Sequence, residues 1–221
     1  MKKRIITYVL GMIILALGLV LNTKTTLGVS PIISVAYTTS DILSINFGNM
    51  TFLWYAILVL IEICIHIKSR AGKKAIINDL LQLPLSLVFT RFMNIFVYIL
   101  PVFANDFEGK ALGSLPSRFI FLFIAILLTG IGASLTMDAK IVPNPGDGVV
   151  QTIAEFTNKN TGLIKNIVDI TCVATAIIIG LVVKHKLIGI GVGTILAALL
   201  IGRVIFAYHK ILEKIKKEKS L

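Results

Sequence analysis

Six stretches of this chain are apolar for the roughly 20 residues that a helix needs to cross a bilayer. They run over residues 4–23, 48–67, 76–100, 117–137, 162–183 and 189–209. No soluble core of this size could bury so much apolar side chain. Of 221 residues 56% are hydrophobic and 15% charged, and mean hydropathy is +0.92. The loops are too short to make an independent soluble domain, so residues 1–221 read as a single all-α polytopic membrane domain with the lipid bilayer as its first partner. The opening MKKRIITYVLGMIILALGLVLNT has the basic tip and apolar stretch of a signal peptide. No small-x-small cleavage site follows it, and it reads as a retained first span.

A net charge of +11 would suit a nucleic-acid partner only if the basic residues shared one water-exposed face. They lie between apolar runs instead, where they orient the chain in the membrane, and no nucleic-acid partner is expected. With Lys2, Lys3 and Arg4 cytoplasmic, the same side receives Lys68, Arg70, Lys73 and Lys74, then Lys140, Lys159 and Lys165, and finally Lys210, Lys214, Lys216, Lys217 and Lys219. The other side receives Lys24, Lys110, Arg118, Lys184 and Lys186. That imbalance predicts six transmembrane helices with both termini cytoplasmic. Cys64 and Cys172 each sit inside an apolar run, without a CxxC or a nearby histidine, and read as packing residues that say nothing of redox compartment.

Two apolar pieces, 31–43 and 145–157, are too short to cross, and each follows a turn-rich run, TKTTLGVSP or DAKIVPNPGDG. Each opens with a proline behind a hydrogen-bonding residue, Ser30-Pro31 and Asn144-Pro145, the pattern of a capped helix start. Two re-entrant half-helices are the expectation. The alternative, a helix lying on the membrane surface, lacks the basic face it would need.

These pieces also carry an internal repeat. At one constant offset Gly18 falls on Gly132, Leu21 on Leu135, Pro31 on Pro145, Val35 on Val149, Thr38 on Thr152, Asn46 on Asn160 and Gly48 on Gly162, while Asp41 meets Glu155. A slightly smaller offset sets Arg91 over Arg203. Repeat one spans about 4–100 and repeat two about 117–211. Each holds an odd number of crossings, so the second must lie upside down, an inverted 3+3 repeat. Its half-helices would enter from opposite faces and bring their amino termini together near the midplane, where non-helical backbone is tolerable only against protein or a water-filled cavity.

Two such termini offer unpaired N–H groups and positive dipole ends to an anion or a polar group. The expected lining is Gly28, Ser30 and Pro31 with Asn144, Pro145, Gly146, Asp147 and Gly148, although Pro-Gly-Asp-Gly also suits a plain tight turn. Arg91 and Arg203, charged within spans, read either as gates or substrate counter-charges, or as arginines that snorkel or pair with Asp79, Glu62 or Glu155. Lys165 and Asp169 share a helix face beside Asn166, and together with Asp41 and Glu155 are candidates for ion coupling; the lysine-aspartate pair is equally a local salt bridge. Small residues at Gly189, Gly193 and Ala197, at Ala198 and Gly202, and at Gly130, Gly132 and Ser134 would let helices pack closely. His66, His185 and His209 are scattered over span ends, and there is no phosphate-binding glycine loop. No enzyme chemistry, metal or cofactor is expected.

GVSP at Gly28–Pro31, PNPGDG at Pro143–Gly148 with Val149-Val150 and Ile153 behind it, Leu81-Gln82-Leu83-Pro84, and GxGT at Gly191–Thr194 together resemble the YitT/YczE/YyaS family of bacterial membrane proteins, from about residue 5 to 210. The resemblance implies the six-span topology and a bacterial cytoplasmic membrane. It implies no catalytic residue and no substrate, because the family is itself weakly characterised. Thr90 departs from the glycine expected before Arg91, as in Gly202-Arg203. The functional expectation is a transporter or permease for a small polar or anionic solute. A passive channel and a non-transporting scaffold or sensor are the alternatives, and oligomeric state, a homo-oligomer included, stays open.

Overall fold

A computed structural model of the chain describes residues 1–218, with the side chains of 215–218 set aside. Lys219 falls outside the described residues, and Lys216 and Lys217 outside the described side chains. The described residues are helical with no strand: α1 (Lys2–Lys24), a 3-10 turn (Pro31–Ile33) running into α2 (Ser34–Leu43), α3 (Phe47–Lys68), α4 (Lys73–Ile99), the short α5 (Phe103–Asp106), a 3-10 turn (Ala111–Gly113), α6 (Leu115–Ala139), α7 (Pro145–Thr157), α8 (Thr161–Lys184) and α9 (Val192–Glu218). Six of them, α1, α3, α4, α6, α8 and α9, are long and apolar enough to cross a membrane, which makes this a multi-pass membrane protein. The last begins at Val192 rather than at 189, because Gly189 adopts φ +69 and the backbone at Gly193 turns to pair with Leu27.

The antiparallel pair α1 and α6 occupies the centre. At one end Arg4 donates from Nε to the Ala139 carbonyl at 2.8 Å and from Nη2 to that of Lys140. At the other, Arg118 donates from Nε to the Thr25 carbonyl at 2.7 Å. Between them Gly18 lies against Thr129, and Gly132 against Leu15 and Gly11, so that any side chain there would collide with the opposite backbone. The expected small-residue contact on α6 is real, and its partner on α1 is Gly11 and Gly18. Gly202 on α9, by contrast, has nothing within 4 Å of where a Cβ would stand. Buried side chains of α1, α2, α3, α4 and α7 form the main apolar cluster, while α9 rests on α6 through Ala197, Leu122 and Ile126. Cys172 is buried, whereas Cys64 is exposed on the outer face of α3.

The irregular segment after α1 is held by the α8–α9 turn. Leu27 accepts from the Gly193 N–H at 2.7 Å, and the Val29 N–H donates to the Gly189 carbonyl at 2.9 Å and to Thr194 Oγ1 at 3.1 Å. Thr38 Oγ1 donates to the Ile188 carbonyl at 3.0 Å. These contacts supply the partners that backbone outside a helix must find inside protein when no water is at hand. Gly28 makes the segment possible: its φ is +143, and a Cβ would sit 2.5 Å from the Thr194 nitrogen.

Helix starts follow their capping residues. Asn46 Oδ1 accepts from the Asn49 N–H, Asn160 Oδ1 from those of Gly162 and Leu163, and Asn144 Oδ1 from that of Gly146. Ser30 makes no side-chain cap; its carbonyl accepts from the Ile33 N–H, and Ser34 Oγ closes the turn on the Pro31 carbonyl. Helix ends are turned by residues in the left-handed region at Thr26, Ser44, Arg70, Lys140, Asn158 and His185.

Two substitutions test this account in detergent-solubilised protein. Gly28→Ala is expected to destabilise by about 1–3 kcal/mol, since it adds a strained φ and a clash, while Gly202→Ala should stay within about 0.5 kcal/mol of the parent in a thermal melt. Asn144→Ala should cost about 1 kcal/mol through loss of the cap and Ser30→Ala measurably less. Equal losses from the two would count against the capping assignment.

Candidate functional site

The starts of the two proline-led helices meet. A Cβ at Gly146 would stand 2.9 Å from Ile32 Cγ1, and Trp54 of α3 ties the same turn down by donating from Nε1 to the Ile32 carbonyl at 2.8 Å. On the far side of this junction, a cavity of about 200 Å³ opens among the first turn of Pro31–Ile33, α8 and α9. Ser30, Pro31, Lys165, Asn166, Asp169 and Arg203 line it. An apolar cleft of about 670 Å³ between α8 and α9 shares Pro31, Asn166 and Asp169 with that cavity, which therefore opens sideways between two membrane-crossing helices.

The electrostatics of the cavity come from side chains. Lys165 Nζ donates to both oxygens of Asp169 at 2.8 Å, one helical turn apart on α8, and the Asp169 side chain is almost wholly buried. Asp147, in the first turn of α7, lies in the field of both. Arg203 pairs with no carboxylate among the described residues. The expected supply of free N–H groups at the start of α7 is absent, for Gly146, Asp147 and Gly148 all donate to Asn144, through its side chain or its carbonyl. The positive charge available to a ligand is that of Arg203 and, when its partner is neutralised, Lys165.

Of the residues expected at the site, the fold gathers Ser30, Pro31, Lys165, Asp169 and Arg203 around one cavity, while Gly146 touches Ile32 of the neighbouring turn and Asp147 follows it in the first turn of α7. Asn144 and Pro145 face the other way, toward a void of about 10 Å³ shared with Gln82 and Ser86. Gly28 belongs to the pinned segment beside Thr194. Arg91 is exposed and donates from Nη2 to Asn49 Oδ1 at 2.6 Å, so its partner is an amide on α3 and none of the three carboxylates considered for it. Asp41 and Glu155 are exposed near the carboxyl-terminal ends of α2 and α7, remote from the helix starts.

Sequence reasoning missed a second buried polar group. Gln82 Nε2 donates to Glu62 Oε2 at 2.7 Å, joining α3 to α4, and a Cβ at Gly148 would stand 2.8 Å from the same carboxylate oxygen. The signal was present as one glutamate in an otherwise apolar run and one glutamine just ahead of Pro84, but a single polar residue does not name its partner. Two of the three histidines pair with aspartates, His66 Nδ1 with Asp79 Oδ2 at 2.7 Å and His209 Nε2 with Asp138 Oδ1 at 3.2 Å. No group of three or more histidine, cysteine or acidic side chains converges as a metal site among the described residues.

No curated protein and no solved structure matches the chain. A family model described as "Family of unknown function (DUF6198)" matches it over residues 2–210. With nearly all of its length inside that match, the chain, itself a multi-pass membrane protein, belongs to this family of unknown function.

Proposed function

We propose that this protein is a transporter for a small polar or anionic solute, built as an inverted repeat with its solute site where the two half-helices meet. The observation that carries the reading is the 200 Å³ cavity at their junction, lined by Ser30, Lys165, Asn166, Asp169 and Arg203. Its size is below the roughly 300–1,000 Å³ usual for drug-sized ligands, which suits a small solute. The unpaired Arg203 suits a negative one, and Lys165 with Asp169 can hold or release a counter-charge as the solute comes and goes.

The repeat draws support from backbone geometry. The left-handed residues come in matched couples along the offset noted above, Thr26 with Lys140 and Ser44 with Asn158, and Arg70 with His185 follows within one residue. Asn46 and Asn160, matched in the same way, both cap the helix behind them. Side chains do not follow the symmetry: Lys165 and Asp169 correspond to Thr51 and Tyr55, so the proposed solute pocket belongs to one side of the junction. The proposed orientation has both termini cytoplasmic. The contact of Arg4 with the α6–α7 link and that of His209 with Asp138 support it by gathering basic chain ends at one end of the bundle. A bacterial cytoplasmic membrane and kinship with the YitT/YczE/YyaS proteins rest on the GVSP and PNPGDG segments.

Two experiments test the reading. In a background with Cys64 and Cys172 replaced by serine, Lys24→Cys and Lys140→Cys should react with an impermeant maleimide from opposite sides of the membrane; reaction from one side removes the inverted repeat. In proteoliposomes offered a panel of small labelled organic and inorganic anions, at least one should accumulate. Arg203→Ala should lower its uptake about tenfold or more, in the range of one lost charge contact. Uptake of no solute, or uptake indifferent to Arg203, overturns the proposal, and dependence on an imposed proton gradient separates coupled transport from passive permeation.

A further inference from the structure

Glu62 is 1% exposed, Gln82 1% and Ser86 2%. Gln82 and Ser86 lie one turn apart on α4 and so share a face. The only described hydrogen bond to the Glu62 carboxylate is the one from Gln82, and three atoms of the group have no partner: Glu62 Oε1, Gln82 Oε1 and Ser86 Oγ. All three are oxygens, and Gln82 Oε1 can only accept. The neighbouring helix start offers nothing to them, since the N–H groups of Gly146, Asp147 and Gly148 are all engaged by Asn144. Gly148 lets the carboxylate lie directly against the backbone of α7, within 2.8 Å of where a Cβ would be. No lysine, arginine or histidine forms an ion pair with Glu62 among the described residues.

A buried carboxyl whose second oxygen and whose neighbouring amide oxygen both lack a donor, in a helix that crosses the membrane, is short of positive charge. We infer that Glu62 and Gln82, with the Ser86 hydroxyl one turn along the same face of α4, form a binding site for one small monovalent cation, a proton or a sodium ion, against the first turn of α7. A single carboxylate with neutral oxygens matches one positive charge, whereas a divalent ion would call for more acidic ligands than converge here. The positive end of α7 opposes the ion, which favours exchange over permanent retention. The other titratable groups near Glu62 are Asp79 on α4, held by His66 of α3, and Asp147, the residue before Gly148 on α7, while Tyr8 of α1 lines the adjoining void; Asp41 of α2 is exposed at that helix's far end. The site is separate from the Lys165–Asp169 cavity, and only its role as a coupling site rests on the transport reading.

The test uses purified full-length protein in detergent with sodium chloride or choline chloride at equal ionic strength, above and below neutral pH. For a sodium site, the melting temperature of the parent rises with the logarithm of sodium concentration, Glu62→Gln abolishes the rise, and Ser86→Ala shifts it about tenfold toward higher sodium. For a proton site, the infrared band of a protonated carboxylic acid titrates in the parent, is missing in Glu62→Gln, and is indifferent to sodium. Ser86→Ala, which keeps the carboxyl, and the parent's own responses decide the matter should Glu62→Gln fold poorly. A parent with neither response overturns the inference. Cation binding without uptake of any solute would leave this site standing and remove the transport reading, and uptake with neither response would do the reverse.

Discussion

A peptide group that leaves the helix among packed apolar helices has to find its partner within the protein, and the architecture of this protein is arranged around that requirement. Two segments leave the helix. The first, between α1 and the turn at Pro31, is satisfied by Gly189, Gly193 and Thr194 from the opposite part of the chain. The second, before α7, is satisfied locally by Asn144, with Arg4 reaching across from α1 to the preceding carbonyls. Both solutions need the tight seam between α1 and α6, which brings the two irregular segments close enough for their helices to meet head to head. Glycine at that seam is the requirement of close approach, and the apolar cluster of α1 to α4 with α7 grows outward from it.

The spans were legible because hydrophobicity over about 20 residues is a local property, and, apart from the carboxyl-terminal end of α9, the observed helices begin and end within a few residues of the apolar runs. Residues 145–157 could be bounded at both ends because Asn-Pro starts a helix and a left-handed residue, Asn158, stops it. The sixth span was placed too early, since the turn at Gly189 depends on contacts with Leu27 and Val29, far away in sequence. Site residues were legible only in part, for the same reason. Lys165 and Asp169 announce one another by spacing on a single helix, whereas Glu62 and Gln82, or Arg91 and Asn49, become partners only when helices pack. Asp41 and Glu155 matched in register because both belong to last turns, a resemblance of helix ends and not of a site.

Two groups of polar side chains stand on either side of the α2–α7 junction. One faces α8 and α9 with a salt bridge, a free arginine and open space. The other faces α3 and α4 with a carboxyl, an amide and a hydroxyl and almost no space. The two proline-led segments share capping and left-handed positions, yet the side chains beside them differ, Lys165 and Asp169 on one side and Glu62 and Gln82 on the other. Asp147 lies in the first turn of α7 between Gly146, which touches Ile32, and Gly148, which touches Glu62.

The backbone pairing of Leu27 and Val29 with the α8–α9 turn bears on how such a molecule could move. At that end the two parts of the chain are stitched through main-chain hydrogen bonds and a glycine-dependent crossing, which a rocking motion would have to tear. At the opposite end Arg4 grips the α6–α7 link with one flexible side chain, and a guanidinium can swing while keeping its hold. In the proposed transport reading the stitched rim is the hinge and the rim beneath it parts first, so that the space next to Lys165 and Arg203 widens toward the face carrying the amino terminus.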